Sequence, residues 1–80
     1  MKITIKCFSF VRYALDKKEW VLNLEVGTTT DTLERMVREI ANGKLDGVIL
    51  RTALNKSYII KSVELTEGDE VAFIPPVQGG

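Results

Sequence analysis

From Lys2 to Cys7 the chain alternates polar and apolar residues, Lys2, Ile3, Thr4, Ile5, Lys6 and Cys7. A period of two places Ile3, Ile5 and Cys7 on one buried face of a strand. Phe8 to Leu15 is apolar without alternation and predicts a loop or a short helical turn. Trp20, Leu22, Leu24 and Val26 then alternate with Val21, Asn23 and Glu25, a second strand that Gly27 ends. The period changes after that. Leu33, Met36, Val37, Ile40 and Ala41 fall at i, i+3, i+4, i+7 and i+8, the single apolar stripe of a helix. Glu34, Arg35, Arg38 and Glu39 take its wet side, and Gly43 sits where a helix stops. Thr28 or Thr29 can cap its start, and Thr28 with Asp31 has the spacing of a capping box.

Val48 to Leu54 predicts a third strand, and Asn55-Lys56 a tight turn into a short fourth one at Ser57 to Ile60. Glu67-Gly68-Asp69 is turn chemistry, and Val71 to Ile74 a last strand. In that strand Val71 and Phe73 lie on one face, Ala72 and Ile74 on the other. The order is strand, strand, helix, strand, strand, strand. One amphipathic helix has to lay its stripe on the apolar face of the sheet. The fold class is therefore α+β: a mixed sheet covered on one face by a single main helix, with the last strand central. The β-grasp (ubiquitin-like) fold is the natural candidate. It would occupy residues 1–74, leaving 75–80 as an extended C-terminal tail.

Composition narrows the chemistry. Eighty residues make one domain, with 45% hydrophobic and 28% charged residues. Eleven bases balance eleven acids, so net charge recruits neither nucleic acid nor an anionic membrane. The signs are unevenly spread: Lys2, Lys6, Arg12, Lys17 and Lys18 crowd the start, whereas Glu64, Glu67, Asp69 and Glu70 precede the tail without a base. An acidic rim beside the C-terminus would favour a basic receptor. The one cysteine, Cys7, allows no internal disulfide and reads as a small buried hydrophobe. The chain has no His and shows no Cys pair or carboxylates at metal-ligand spacing, so neither an acid–base dyad nor a metal site is expected. No apolar run approaches the ~20 residues of a membrane span, and no signal peptide opens the chain. The expected setting is cytoplasmic.

The tail carries the most information. Pro75-Pro76-Val77-Gln78-Gly79-Gly80 cannot continue a sheet, because two prolines remove two donors and hold the chain near polyproline II. Five residues from Pro76 onward can reach roughly 16 Å, at about 3.3 Å each. Two glycines without side chains would let such an arm thread a narrow pocket. A free carboxylate is a poor electrophile and must be activated, for example as an acyl-adenylate. A sulfur nucleophile can then displace AMP and leave a thiocarboxylate. With no P-loop in the chain, a partner must supply the ATP chemistry.

The run Glu67-Gly68-Asp69-Glu70-Val71-Ala72-Phe73-Ile74-Pro75-Pro76-Val77-Gln78-Gly79-Gly80 resembles the C-terminal signature of the small, sulfur-carrier subunit of molybdopterin synthase, the MoaD type within the MoaD/ThiS ubiquitin-like family. Phe8-Ser9-Phe10-Val11-Arg12 is similar to that family's aromatic-to-Val-Arg stretch, and Leu54-Asn55 with Tyr58-Ile59 to its hydrophobic-Asn hairpin. The resemblance implies that Gly80 is adenylated by a ubiquitin-activating-like enzyme and converted to a thiocarboxylate, with Gly79 as a slim neck. Inserted into the synthase large subunit, it would donate sulfur to cyclic pyranopterin monophosphate for molybdenum cofactor. The chain would be no enzyme alone, only the small subunit of a heteromeric transferase, binding no cofactor itself while ATP serves the activating partner.

Parity predicts a docking surface. If Ile3, Ile5 and Cys7 point inward, Phe8 points outward, as Ile74 opposes Phe73 and Tyr58 opposes Ile59. Phe8, Tyr58 and Ile74 would then form an exposed apolar patch, with Arg12 as polar anchor and Pro75, Pro76, Val77 and Gln78 leading the arm into the partner. Ile74 departs from the aromatic often found there. Three other readings share much of this evidence: a carrier for thiazole synthesis (ThiS-like) or another sulfur pathway, a ubiquitin-like protein modifier, and a plain binding module. The diproline favours the molybdopterin branch.

Overall fold

The computed structural model describes residues 1–76, and Val77, Gln78, Gly79 and Gly80 lie outside the described residues. Seven elements follow in order: β1 (Lys2–Cys7), α1 (Ser9–Leu15), β2 (Glu19–Asn23), α2 (Thr30–Ile40), β3 (Arg51–Leu54), β4 (Ser57–Ile59) and β5 (Glu70–Ile74). The strands form one sheet in the order β2-β1-β5-β3-β4. β5 pairs parallel to β1 and antiparallel to β3, and the other neighbours are antiparallel. The last strand is central, as expected of a β-grasp sheet.

Alternation in the sequence becomes a two-faced sheet. Ile3, Ile5, Val71 and Phe73 are fully buried on one face, packed with Leu33, Val37 and Ala41 of the helix stripe. Cys7 is buried with them, and burial pushes its thiol pKa up despite the nearby Lys17 charge. It is core filling. The stripe is shorter than its period suggested. α2 ends at Ile40, which is half exposed at 50%, while Leu45 from the following turns completes the core.

The covering layer has a second, shorter member. Residues 9–15 form α1, and its Val11 and Ala14 enter the same core. Ser9 adopts a left-handed backbone (φ 52°), an uncommon state for a non-glycine residue, and so turns the chain abruptly out of β1. The Phe8 carbonyl then accepts from both Val11 N and Arg12 N.

Thr29, not Thr28, caps α2: its Oγ1 accepts from Thr32 N at 3.2 Å. Thr28 Oγ1 instead donates to the Glu25 carbonyl, and Asp31 N donates to Ser62 Oγ, so the predicted box is not formed. Buried Thr30 ties the helix start to the chain before β5: Thr30 N donates to Val63 O, and Val63 N to Thr30 Oγ1.

The third strand starts at Arg51, later than the apolar run predicted. Residues 41–47 are turns and 48–50 an irregular stretch instead, stapled to the helix by Arg38, whose guanidinium donates to Leu45 O and Val48 O (both 2.7 Å) and to Glu34 Oε2. Arg38 is thus a partly buried anchor, not a wet-face residue. Asn55 and Lys56 both take positive φ, which gives β3 and β4 the tight turn expected.

Candidate functional site

The outward face of the sheet follows from the registers. Glu19, Lys6, Ala72, Ala53 and Tyr58 lie in one row across all five strands. In the next outward row toward the tail, Arg51 stands opposite Ile74. Phe8 follows Cys7, whose partner is Phe73, and its extended backbone (φ −123°, ψ 151°) keeps the alternation.

Two alanines side by side in the central strands leave a notch between larger neighbours. Ala53 and Ala72 are only 7% and 5% exposed, yet they stand outside the core cluster: they form the floor of an outer groove. Phe8, Arg12, Tyr58, Ile74 and Lys6 line this groove, whose volume is about 710 Å³. The four residues that parity and resemblance single out, Phe8, Arg12, Tyr58 and Ile74, are therefore brought together around one concavity. Phe8 and Tyr58 keep about half their surface in solvent. Arg51 lies over the Tyr58 ring at 4.0 Å and fixes its orientation by a cation–π contact. Lys6 pairs with Glu19, and that hydrogen bond and charge hold the Lys6 pKa up, with help from Glu70.

A second depression of about 680 Å³ adjoins the first through Ile74, which lines both. It is bounded by Phe10, Val48, Ile49, Pro75 and Pro76. Exposed Phe10 and Ile49 were not anticipated as part of a site. The signal for Phe10 was its place two residues after Phe8; Ile49 was concealed in a predicted strand. The predicted arm residues Pro75 and Pro76 follow β5 directly, half-buried and exposed respectively. Val77, Gln78, Gly79 and Gly80, the remaining predicted site residues, fall outside the described residues.

The charge at the arm's base reverses the expectation from sequence order. Because β5 runs from Glu70 to Ile74, the acids preceding it lie at its far end, about 13 Å from the tail exit. There Glu67 accepts from Lys2 N, and Asp69 accepts from Asn55 Nδ2 and Thr66 N, which holds the Asp69 carboxyl below its usual range. The tail exit itself is flanked by Arg51 and Arg12. Sequence adjacency suggested an acidic rim; strand direction puts a basic one there.

Among the described residues no group of His, Cys, Asp and Glu could hold a metal ion, and no helix is long and apolar enough to cross a membrane. Among solved structures the chain is similar to SAMP1 from Haloferax volcanii, with 17% identity over all of both chains and a TM-score of 0.82. It is similar to a protein provisionally assigned as molybdopterin converting factor subunit 1 from Pyrococcus furiosus, with 23% identity, 96% of this chain and 99% of that chain covered, and a TM-score of 0.84. A third likeness is to a chain in the complex of subunits 1 and 2 of molybdopterin-converting factor from Helicobacter pylori, with 22% identity, full coverage of both chains and a TM-score of 0.70. These likenesses establish the ubiquitin-like β-grasp fold. No curated protein matches the sequence. The ThiS family model matches residues 10–80, nearly the whole domain and the Gly-Gly end with it, and the chain belongs to the ThiS family.

Proposed function

We propose that this chain is a cytoplasmic sulfur carrier for molybdenum cofactor biosynthesis, acting through the carboxylate of Gly80. A separate activating enzyme forms the Gly80 acyl-adenylate from ATP, releasing pyrophosphate. A sulfur donor then attacks the acyl carbon and displaces AMP, leaving a thiocarboxylate. Delivered into the large subunit of molybdopterin synthase, that sulfur attacks a carbon of cyclic pyranopterin monophosphate and displaces an oxygen substituent, giving a thioester. Water then cleaves the acyl C–S bond, leaving the sulfur on the pterin and Gly80 as a carboxylate. The carrier contributes no acid or base to these steps. Its part is to present an acyl group on an unhindered arm and to dock.

One observation carries this reading: the central strand ends at Ile74, beside the Phe8–Tyr58–Ile74 groove, and in sequence a diproline and Val77-Gln78-Gly79-Gly80 follow it. Membership of the ThiS family and the fold shared with a chain of the Helicobacter pylori subunit complex support it. The diproline supports the molybdopterin branch over a carrier for thiazole synthesis. A second reading, a protein modifier joined to lysines through the same acyl-adenylate, is favoured by the likeness to SAMP1, the small archaeal modifier protein 1.

The test is intact mass after incubation with the activating enzyme, ATP and a sulfur donor. Exchange of one oxygen for sulfur at Gly80 is expected, and it should vanish when Gly80 is deleted while the unfolding midpoint stays unchanged. A ladder of lysine conjugates would favour the modifier. Sulfur transfer by the Gly80-deleted chain would overturn both.

A further inference from the structure

We infer that the groove over Ala53 and Ala72 accepts an acidic segment of the partner, with one apolar side chain seated on the two alanines and carboxylates meeting the surrounding bases. This deepens the carrier reading and rests on it for the identity of the partner.

Shape comes first. The floor is two methyl groups on adjacent central strands, and its walls are Tyr58 on one side and Lys6 on the other, with Phe8 and Ile74 at the tail end. Such a notch matches a single Leu- or Phe-sized side chain and is too polar at its edges for a broad apolar face. Charge comes second. Lys6 is occupied by Glu19. Arg12, Lys18 and Lys56 line the same groove and Arg51 stands beside it, whereas Glu70 is the one remaining acid in the lining. Among the described residues the ion pairs are Lys6–Glu19 and Arg38–Glu34, so these four bases have no acidic partner within that set.

The whole chain is neutral, so this face is basic because most of the acids stand elsewhere, Glu19 and Glu70 excepted. Glu67 and Asp69 are held by their own hydrogen bonds at the opposite end of β5. A basic partner would meet Arg12, Lys18, Lys56 and Arg51 against the single unpaired acid Glu70 of the lining, which costs affinity and slows encounter. An acidic one is steered toward the tail exit, where the arm must enter it.

The experiment uses the full-length, isotope-labelled protein and three short synthetic peptides. Each has a central Leu-Phe; the flanks are Glu and Asp, Ser and Gly, or Lys. The acidic peptide should shift the amide signals of Ala53, Ala72, Tyr58 and Arg12, and bind about fivefold or more tighter than the neutral one. Added salt should erase that margin, since screening shortens to about 3 Å at 1 M. Arg51→Glu combined with Arg12→Glu should reverse the order of the peptides. Ala72→Leu should weaken the acidic and neutral peptides by filling the notch. If Ala72→Leu unfolds the protein, the charge-reversed variant still decides the matter. Equal binding of all three peptides, preference for the Lys peptide, no binding, or shifts centred on Phe10 and Ile49 would overturn the inference. So would concentration-dependent self-association that occupies the groove with the acidic end of a second copy. Failure here leaves the mass change at Gly80 intact, and failure of that mass change leaves the peptide result standing, so the two are separable.

Discussion

The two faces of the sheet are cut from the same strands yet answer to different constraints. On the inner face Ile3, Ile5, Val71 and Phe73 are large and fully covered by α1 and α2. On the outer face the same strands offer Thr4, Lys6 and Ala72, small or charged, beside Ala53 of β3 and with Tyr58 of β4 at the margin. Burial alone does not distinguish them, since Ala72 is as hidden as many core residues. What differs is the reason. Inner residues are hidden by the protein's own helices; the alanines are hidden by taller neighbours on a surface otherwise open. One strand, β5, therefore turns Val71 and Phe73 into the core and Ala72 and Ile74 toward the outer groove.

The contrast can be broken from either side. Phe73→Ala, on the inner face, should cost about 3–5 kcal/mol, because a lost ring leaves a cavity that packed neighbours only partly fill. In so small a domain that is much of the total stability, and urea unfolding should show a largely unfolded population without denaturant. Asp69→Asn, at the closed end of β5, should cost about 1–2 kcal/mol near neutral pH, since an amide can no longer accept both hydrogen bonds with a charge behind them. The carboxyl pKa is lowered in the fold, so its stabilisation is present above the unfolded value and drains away as pH falls through the folded one. Thermal melts should therefore drop below about pH 4 in the parent and fall less steeply in Asp69→Asn. Tyr58→Ala, on the outer face, should move stability by no more than about 0.5–1 kcal/mol, the scale of an exposed cation–π contact. A loss as large as that of Phe73→Ala would merge the two faces into one.

Much of the architecture was legible because period two and period 3.6 are direct records of which side is buried. The first two strands, the last strand and the main helix follow from these periods. The third and fourth strands follow from an apolar run and the Asn55-Lys56 turn, and the central place of the last strand from the β-grasp arrangement. Residues 9–15 were not, because a seven-residue helix with Val11 and Ala14 inward displays barely two turns of periodicity, and Phe8, Phe10 and Tyr13 blur it with exposed aromatics. Val48 and Ile49 have strand-forming side chains, but Arg38 captures the Val48 carbonyl and holds it out of the sheet ladder. That is a tertiary contact, invisible locally. The clustering of Phe8, Tyr58 and Ile74 was accessible from parity and resemblance together. The alanine floor was not, since it depends on Ala53 and Ala72 falling in register across an antiparallel pair. The misplaced acidic rim has the same origin: order along a chain gives no strand direction.

A central strand that comes last in chain order has a bearing on when the sheet can close. β1 with β2 and β3 with β4 are hairpin-like pairs of neighbours, but within the sheet no strand pairing joins the two halves until β5 lies between β1 and β3. During synthesis the sheet stays split while every residue through Phe73 is still being added. Pro75 and Pro76 follow directly after that keystone, so the residues that close the sheet are made before the tail that follows them. The sheet is thus closed by the very strand that carries the tail.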